Sequence, residues 1–147
     1  MRKKITIFLL IGAIIILGGI LAFSNFQNKS LLPPKLILSE EEWDFGQVLP
    51  DAKPEHIFTV TNGGEEDLVI ERINVSCGCI KTSITATRIP PGESAELEVI
   101  YDTAGYRGKD QRHVRIYSND PAISTRRIDL FVEIIEEFKV PYLDSNN

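Results

Sequence analysis

From Leu36 onward the chain repeats one pattern. Short apolar runs alternate with polar residues and break at Gly, Pro, Asn or Asp roughly every 10–12 residues. No 3.6-residue period appears in this region. A period of two sends successive side chains to opposite faces, so each run reads as a half-buried strand. The clearest sets Ala95, Leu97, Val99 and Tyr101 against Glu96, Glu98 and Asp102. Phe58 and Val60 share a face, as do Val114 and Ile116, with His113, Arg115 and Tyr117 opposite. Ile128, Leu130, Val132 and Ile134 line the last run. Leu68 and Ile70 change parity before Ile73 and Val75, which predicts a bulge at Glu71-Arg72.

The breaks predict the connections. Asn62-Gly63-Gly64 is expected to close a hairpin, because Asn and Gly tolerate the positive φ of tight turns. Pro90-Pro91-Gly92 and Asn119-Asp120-Pro121 read as further turns, and residues 103–110 as a polar loop. Residues 80–89 read as one Thr-rich strand with Ile80 and Ile84 inward. Leu36-Ile37-Leu38 and residues 43–48 form an opening edge strand or a split pair, with Gly46 a kink or bulge. The sum is an all-β chain: an immunoglobulin-like antiparallel β-sandwich of about seven strands over residues 36–139. A core of that size folds without disulfide staples.

Ahead of it stands a different solvent preference. Residues 5–23, ITIFLLIGAIIILGGILAF, hold no charge and one hydroxyl. At 1.5 Å per residue they reach about 28 Å as a helix, close to the hydrocarbon thickness of a bilayer. A transmembrane anchor is expected; a cleaved signal peptide ending near Ala22-Phe23-Ser24 is the alternative. Arg2, Lys3 and Lys4 keep residues 1–4 in the cytoplasm and place the domain outside, at the cell membrane facing the periplasm or cell surface. Residues 24–35, with Pro33-Pro34, read as a linker, and residues 140–147 as a disordered tail.

Charge narrows the partners. Setting aside the three leading cations, 13 basic residues face 21 acidic ones, a balance of −8. An acidic domain repels nucleic acid and anionic lipid, so a protein partner is expected, with the membrane reached through residues 5–23. Arg107, Lys109, Arg112, Arg115, Arg126 and Arg127 read as a solvated outer face paired with nearby acids. No phosphate loop, Ser-His-Asp order or paired catalytic carboxylates is recognisable, so no enzyme and no cofactor is expected.

The two cysteines, Cys77 and Cys79, flank Gly78 at the end of a strand. Three readings stay open. The pair shapes the turn, packing as small apolar residues or closing a disulfide across Gly78. It acts as a local redox pair, because so short a loop makes a poor staple and a serviceable exchange site. Or its thiolates bind Cu(I) or Zn(II), with His56 and His113 as the further candidates at the same end of the sandwich. By strand parity His56 points inward with Phe58 and His113 outward, which argues against a shared metal site, and none is expected.

The ordered motifs resemble a bacterial family, domain of unknown function 1573. They are Phe45-Gly46, Phe58-Thr59-Val60-Thr61-Asn62-Gly63-Gly64, Ser76-Cys77-Gly78-Cys79, Pro91-Gly92-Glu93 and Ser118-Asn119-Asp120. The resemblance implies an immunoglobulin-like fold related to cilium-associated and sperm-protein sandwich domains, and no known activity. Ile80 departs from the threonine that usually follows the second cysteine. The expectation is a membrane-anchored binding or scaffolding module, with metal handling or thiol redox at Cys77 and Cys79 as the alternative.

Overall fold

A computed structural model describes residues 31–136. The expected anchor (5–23), the cytoplasmic tail and the terminal tail lie outside the described residues. Among the described residues there is no helix, and hence none long and apolar enough to cross a membrane.

Among the described residues nine strands form two sheets. They are β1 (Leu36–Leu38), β2 (Glu42–Val48), β3 (Glu55–Asn62), β4 (Leu68–Val75), β5 (Ile80–Ile84), β6 (Arg88–Ile89), β7 (Ser94–Tyr101), β8 (Gly108–Ser118) and β9 (Thr125–Ile134). One sheet runs β1-β3-β7-β5, the other β2-β9-β8-β4-β6. Their inner faces share one core. Phe58, Val60, Leu97, Val99 and Tyr101 from the first meet Leu68, Val114, Ile116, Ile128 and Leu130 from the second. These are the alternating positions that the period of two marks out, and burying them drives the two layers together. The register of β4 on β8 shifts between Ile70 and Arg72, the expected bulge.

Five expectations need correction, the first being the count of about seven strands, which is nine among the described residues. The opening segment takes the expected split-pair form: β1 joins β3, and β2 crosses to the other sheet. There β2 runs parallel to β9, so the sandwich is not wholly antiparallel. Most of the domain lies between β2 and β9, so no tight turn joins them and a parallel pairing is accessible. The β2 register shifts between Asp44 and Gln47, around Gly46 at φ +69°, so the predicted bulge stands.

Asn62-Gly63-Gly64 does not close a hairpin; it carries the chain from β3 in one sheet to β4 in the other. Neither glycine adopts positive φ. Gly64 is small for a different reason: a Cβ there would collide with the backbone of Pro33 and Pro34. Residues 80–89 break into β5 and β6, one in each sheet, and β8 begins at Gly108 inside the predicted loop. The end of the expected linker is held on the domain. The Leu32 N–H donates to Glu65 Oε2 at 3.0 Å, and Glu65 N–H donates to the Leu32 carbonyl at 2.9 Å.

Candidate functional site

Ser76-Cys77-Gly78-Cys79 is the passage from β4 in the five-stranded sheet to β5 in the four-stranded one. Backbone hydrogen bonds hold it at both ends. Ser76 N–H donates to the His113 carbonyl at 3.0 Å, and Ser76 Oγ accepts from the His113 N–H at 3.0 Å. On the far side Asp102 N–H donates to the Cys79 carbonyl at 2.8 Å. The turn is therefore clamped between the middle of β8 and the end of β7.

Cys77 and Cys79 are joined in a disulfide, with Cα atoms 5.2 Å apart. A bridge is common to the turn-shaping and the redox readings of the sequence. Cys79 is buried at 8% exposure, and Cys77 is half-buried against the core. A Cβ added at Gly78 would meet nothing within 4 Å, so the outer side of the turn opens to solvent.

The bridge closes three residues, which removes only about 1.5 kcal/mol of unfolded-state entropy, against about 3 kcal/mol for a 15-residue loop. Reduction is therefore expected to cost the domain about 1.5 kcal/mol or less and to leave a cooperative fold. Thermal melts with and without reductant check this; loss of the transition on reduction would show that the bridge is a staple after all.

The histidines do not converge on the sulfurs. His56 points inward, as parity requires, and lies flat on Trp43 with ring centroids 3.5 Å apart and edge-on to Phe58 at 4.7 Å. Its Nε2 is 3.4 Å from Glu40 Oε1. His113 faces outward, touching the Cys-Gly-Cys turn through its backbone. Burial, then the charges of Arg127 and Arg115, push its imidazole below the usual histidine range, against Asp129. Among the described residues, no three His, Cys, Asp or Glu side chains gather in a group fit for a metal ion.

The same pole of the core is polar inside. The Tyr101 hydroxyl donates to Asp110, and Arg112 Nη2 lies 2.8 Å from Asp110 Oδ2. Burial, then the Asp110 hydrogen bond and charge, push the Tyr101 phenol up to about 12 although Arg112 opposes. Arg112, Arg126 and Arg127 pair with Asp110, Glu41 and Asp129 as expected, but Arg112 and Arg126 are largely covered and not on a solvated face. Arg115 instead stands opposite Arg127 across the β8–β9 ladder.

The opposite pole holds two residues that strand reading missed. Asn62 is fully buried. Its Oδ1 accepts from Gly64 N–H at 2.9 Å and Lys35 N–H at 3.4 Å; its Nδ2 donates to the Glu66 and Ile89 carbonyls at 2.8 and 2.9 Å. Asp120 is 2% exposed and accepts from the N–H groups of Leu36, Ala122 and Ile123 at 2.9, 2.9 and 3.2 Å. One signal was available: Asn62 continues the inward parity of Phe58 and Val60, so a polar residue was bound for the core.

A family model described as a protein of unknown function (DUF1573) matches residues 36–132. The chain belongs to this family. The family match covers every strand from β1 to β8 and most of β9, including the disulfide turn, Asn62 and Asp120. Among curated proteins none matches. Solved structures are similar in fold. A protein of unknown function from Porphyromonas gingivalis W83 aligns at TM-score 0.64 and 22% identity, covering 75% of this chain and 51% of that one. The ASH / PapD-like domain 7 of human CEP192 aligns at 0.56 and 12% identity, covering 72% and 89%. The E. coli chaperone DraB aligns at 0.51 and 16% identity, covering 70% and 56%. The chain thus spans about half the length of the first of these. At such identities the likeness shows the fold, a PapD-like, immunoglobulin-like sandwich.

Proposed function

We propose that this family member is a membrane-anchored, extracytoplasmic, non-enzymatic module that binds a protein segment along the open edge of β5. The edge strand is the observation that carries the reading. Asp102 N–H to Cys79 and Thr85 N–H to Glu96 set the phase of the β5–β7 ladder, so Thr82 and Ile84 turn their backbone groups away from β7. The other edges are less open. The Leu36 N–H and carbonyl of β1 are taken by Asp120 and Arg126; β2 is broken at Gly46; β6 is two residues long. A bare edge adds a partner strand through main-chain hydrogen bonds. The chaperone-type neighbours support a protein partner, and the apolar run 5–23 supports the anchor.

The test places a photo-crosslinker at Ser83 of the full chain in the cells that make it. A protein adduct is expected, from a chain that stays in the membrane pellet and is open to protease only from outside. Thr82→Pro removes one outward N–H without touching β7, and is expected to cut the adduct at least about tenfold at unchanged thermal stability. No adduct, or one indifferent to Thr82→Pro, overturns the edge reading; a chain released from the pellet overturns the anchor.

A further inference from the structure

The binding reading leaves the disulfide without a task. We infer that Cys77–Cys79 is an exchangeable disulfide that accepts two electrons from the dithiol of a protein substrate, with Cys77 as the sulfur attacked.

Three observations converge. The first is thermodynamic reciprocity. A bond that stabilises a fold is itself stabilised by that fold to the same extent. A bridge across one residue stabilises its fold weakly, so folding gives this bond little protection from reduction. The second is access. The turn lies at the pole of the sandwich opposite Asn62 and Asp120, open on the Gly78 side, with Cys77 reachable and Cys79 behind it. Val75, two residues before the pair, is an exposed apolar side chain at 38%, a contact for an unfolded or extended substrate. The third is that the turn itself is held independently of the sulfurs. Ser76 is bonded to His113 and Cys79 to Asp102 through the backbone, so opening the bridge leaves the loop in place to close again.

The exchange balances in two displacements. A substrate thiolate attacks Cys77 Sγ; the Cys77–Cys79 bond breaks, and Cys79 leaves as a thiolate. The second substrate thiolate then attacks the substrate sulfur of the mixed disulfide and releases Cys77 as a thiolate. The two protons lost by the substrate dithiol are taken up by Cys77 and Cys79. The substrate is oxidised to a disulfide and the domain is reduced to a dithiol. The outward Arg115, opposite Asn74 on the β4–β8 ladder, adds positive potential near the attacked turn, which favours an incoming thiolate.

Reduction of the oxidised full-length chain by dithiothreitol, followed by alkylation and intact mass, tests the idea. The native rate is expected to lie within about tenfold of the rate in denaturant, as for an unprotected disulfide. A native rate slower than that overturns the proposal. The variants Cys79→Ser and Cys77→Ser each leave one thiol to react with oxidised glutathione. The Cys77 thiol is expected to react at least about tenfold faster than the Cys79 thiol. Equal rates, or a faster Cys79, overturn the assignment of Cys77. Both readouts are independent of the β5 edge, so either proposal can fail alone.

Discussion

Asn62→Ala is expected to destabilise the domain by about 3–4 kcal/mol, a large share of the stability of a small domain. The amide has four backbone partners in three segments: Lys35 before β1, Gly64 and Glu66 in the crossover, and Ile89 at β6. Truncation removes the Nδ2 donor to the Glu66 and Ile89 carbonyls and loosens the passage between sheets. The main chain of Asn62 also accepts from Gly92 N–H at 2.9 Å and donates to Glu93 at 3.0 Å, so the next turn is tied to the same point. Asn62→Asp should be worse than alanine. It keeps the acceptors for Gly64 and Lys35 but aims a second carboxylate oxygen at two carbonyls. Urea titration of the three proteins reads the order directly; an alanine variant within about 1 kcal/mol of wild type would mean that water replaces the amide without loss.

Asp120→Ala carries the second large effect, about 2–4 kcal/mol, because charge-assisted hydrogen bonds from one buried and two part-buried N–H groups are lost together. Leu36 is the partner that matters most. It belongs to β1, so Asp120 fastens the edge of the four-stranded sheet to the β8–β9 turn of the other. Burial alone would raise the Asp120 carboxyl. The N–H groups of Leu36, Ile123 and Ala122, with Arg126 nearby, outweigh it and hold the acid below the usual carboxylate range. The folded state thus binds the proton less readily than the unfolded chain. Asp120 contributes its full stabilisation above the unfolded value of about 3.9, and that contribution is lost as pH falls through the lower folded value. Asp120→Asn is expected to be less stable at pH 7 and to lose less stability than wild type between pH 4 and about 2. Parallel acid slopes for the two proteins would contradict this.

Asn62 and Asp120 both sit in the motifs shared with the family, and their hydrogen bonds tie backbone segments together. Asn62 and Asp120 hold the pole where residues 32–35 meet the sandwich. The disulfide, β5 and the polar set of Tyr101, Asp110 and Arg112 lie at or near the other end. Buried polar clamps thus lie at one end, and a disulfide turn open on its Gly78 side at the other. That division explains why the expected cost of opening Cys77–Cys79 is small while the cost of losing one buried amide is large.

Strand content and core membership were legible because they follow from a local period. Phe58, Val60, Leu97, Val99, Ile128 and Leu130 reach the core by alternation alone, and the bulges near Gly46 and Glu71-Arg72 show as a glycine within a strand and a break in parity. A period of two says which face a residue takes but not which sheet its strand joins. Tertiary structure decided that Asn62-Gly63-Gly64 crosses between sheets, that residues 80–89 divide between both, and that β2 lies parallel to β9. Each depends on pairing between residues far apart in the chain, where loop closure and whole-core packing set the balance. The same holds for the sulfurs: adjacency along the chain made a bridge conceivable, and only the clamp by His113 and Asp102 put it at an open pole.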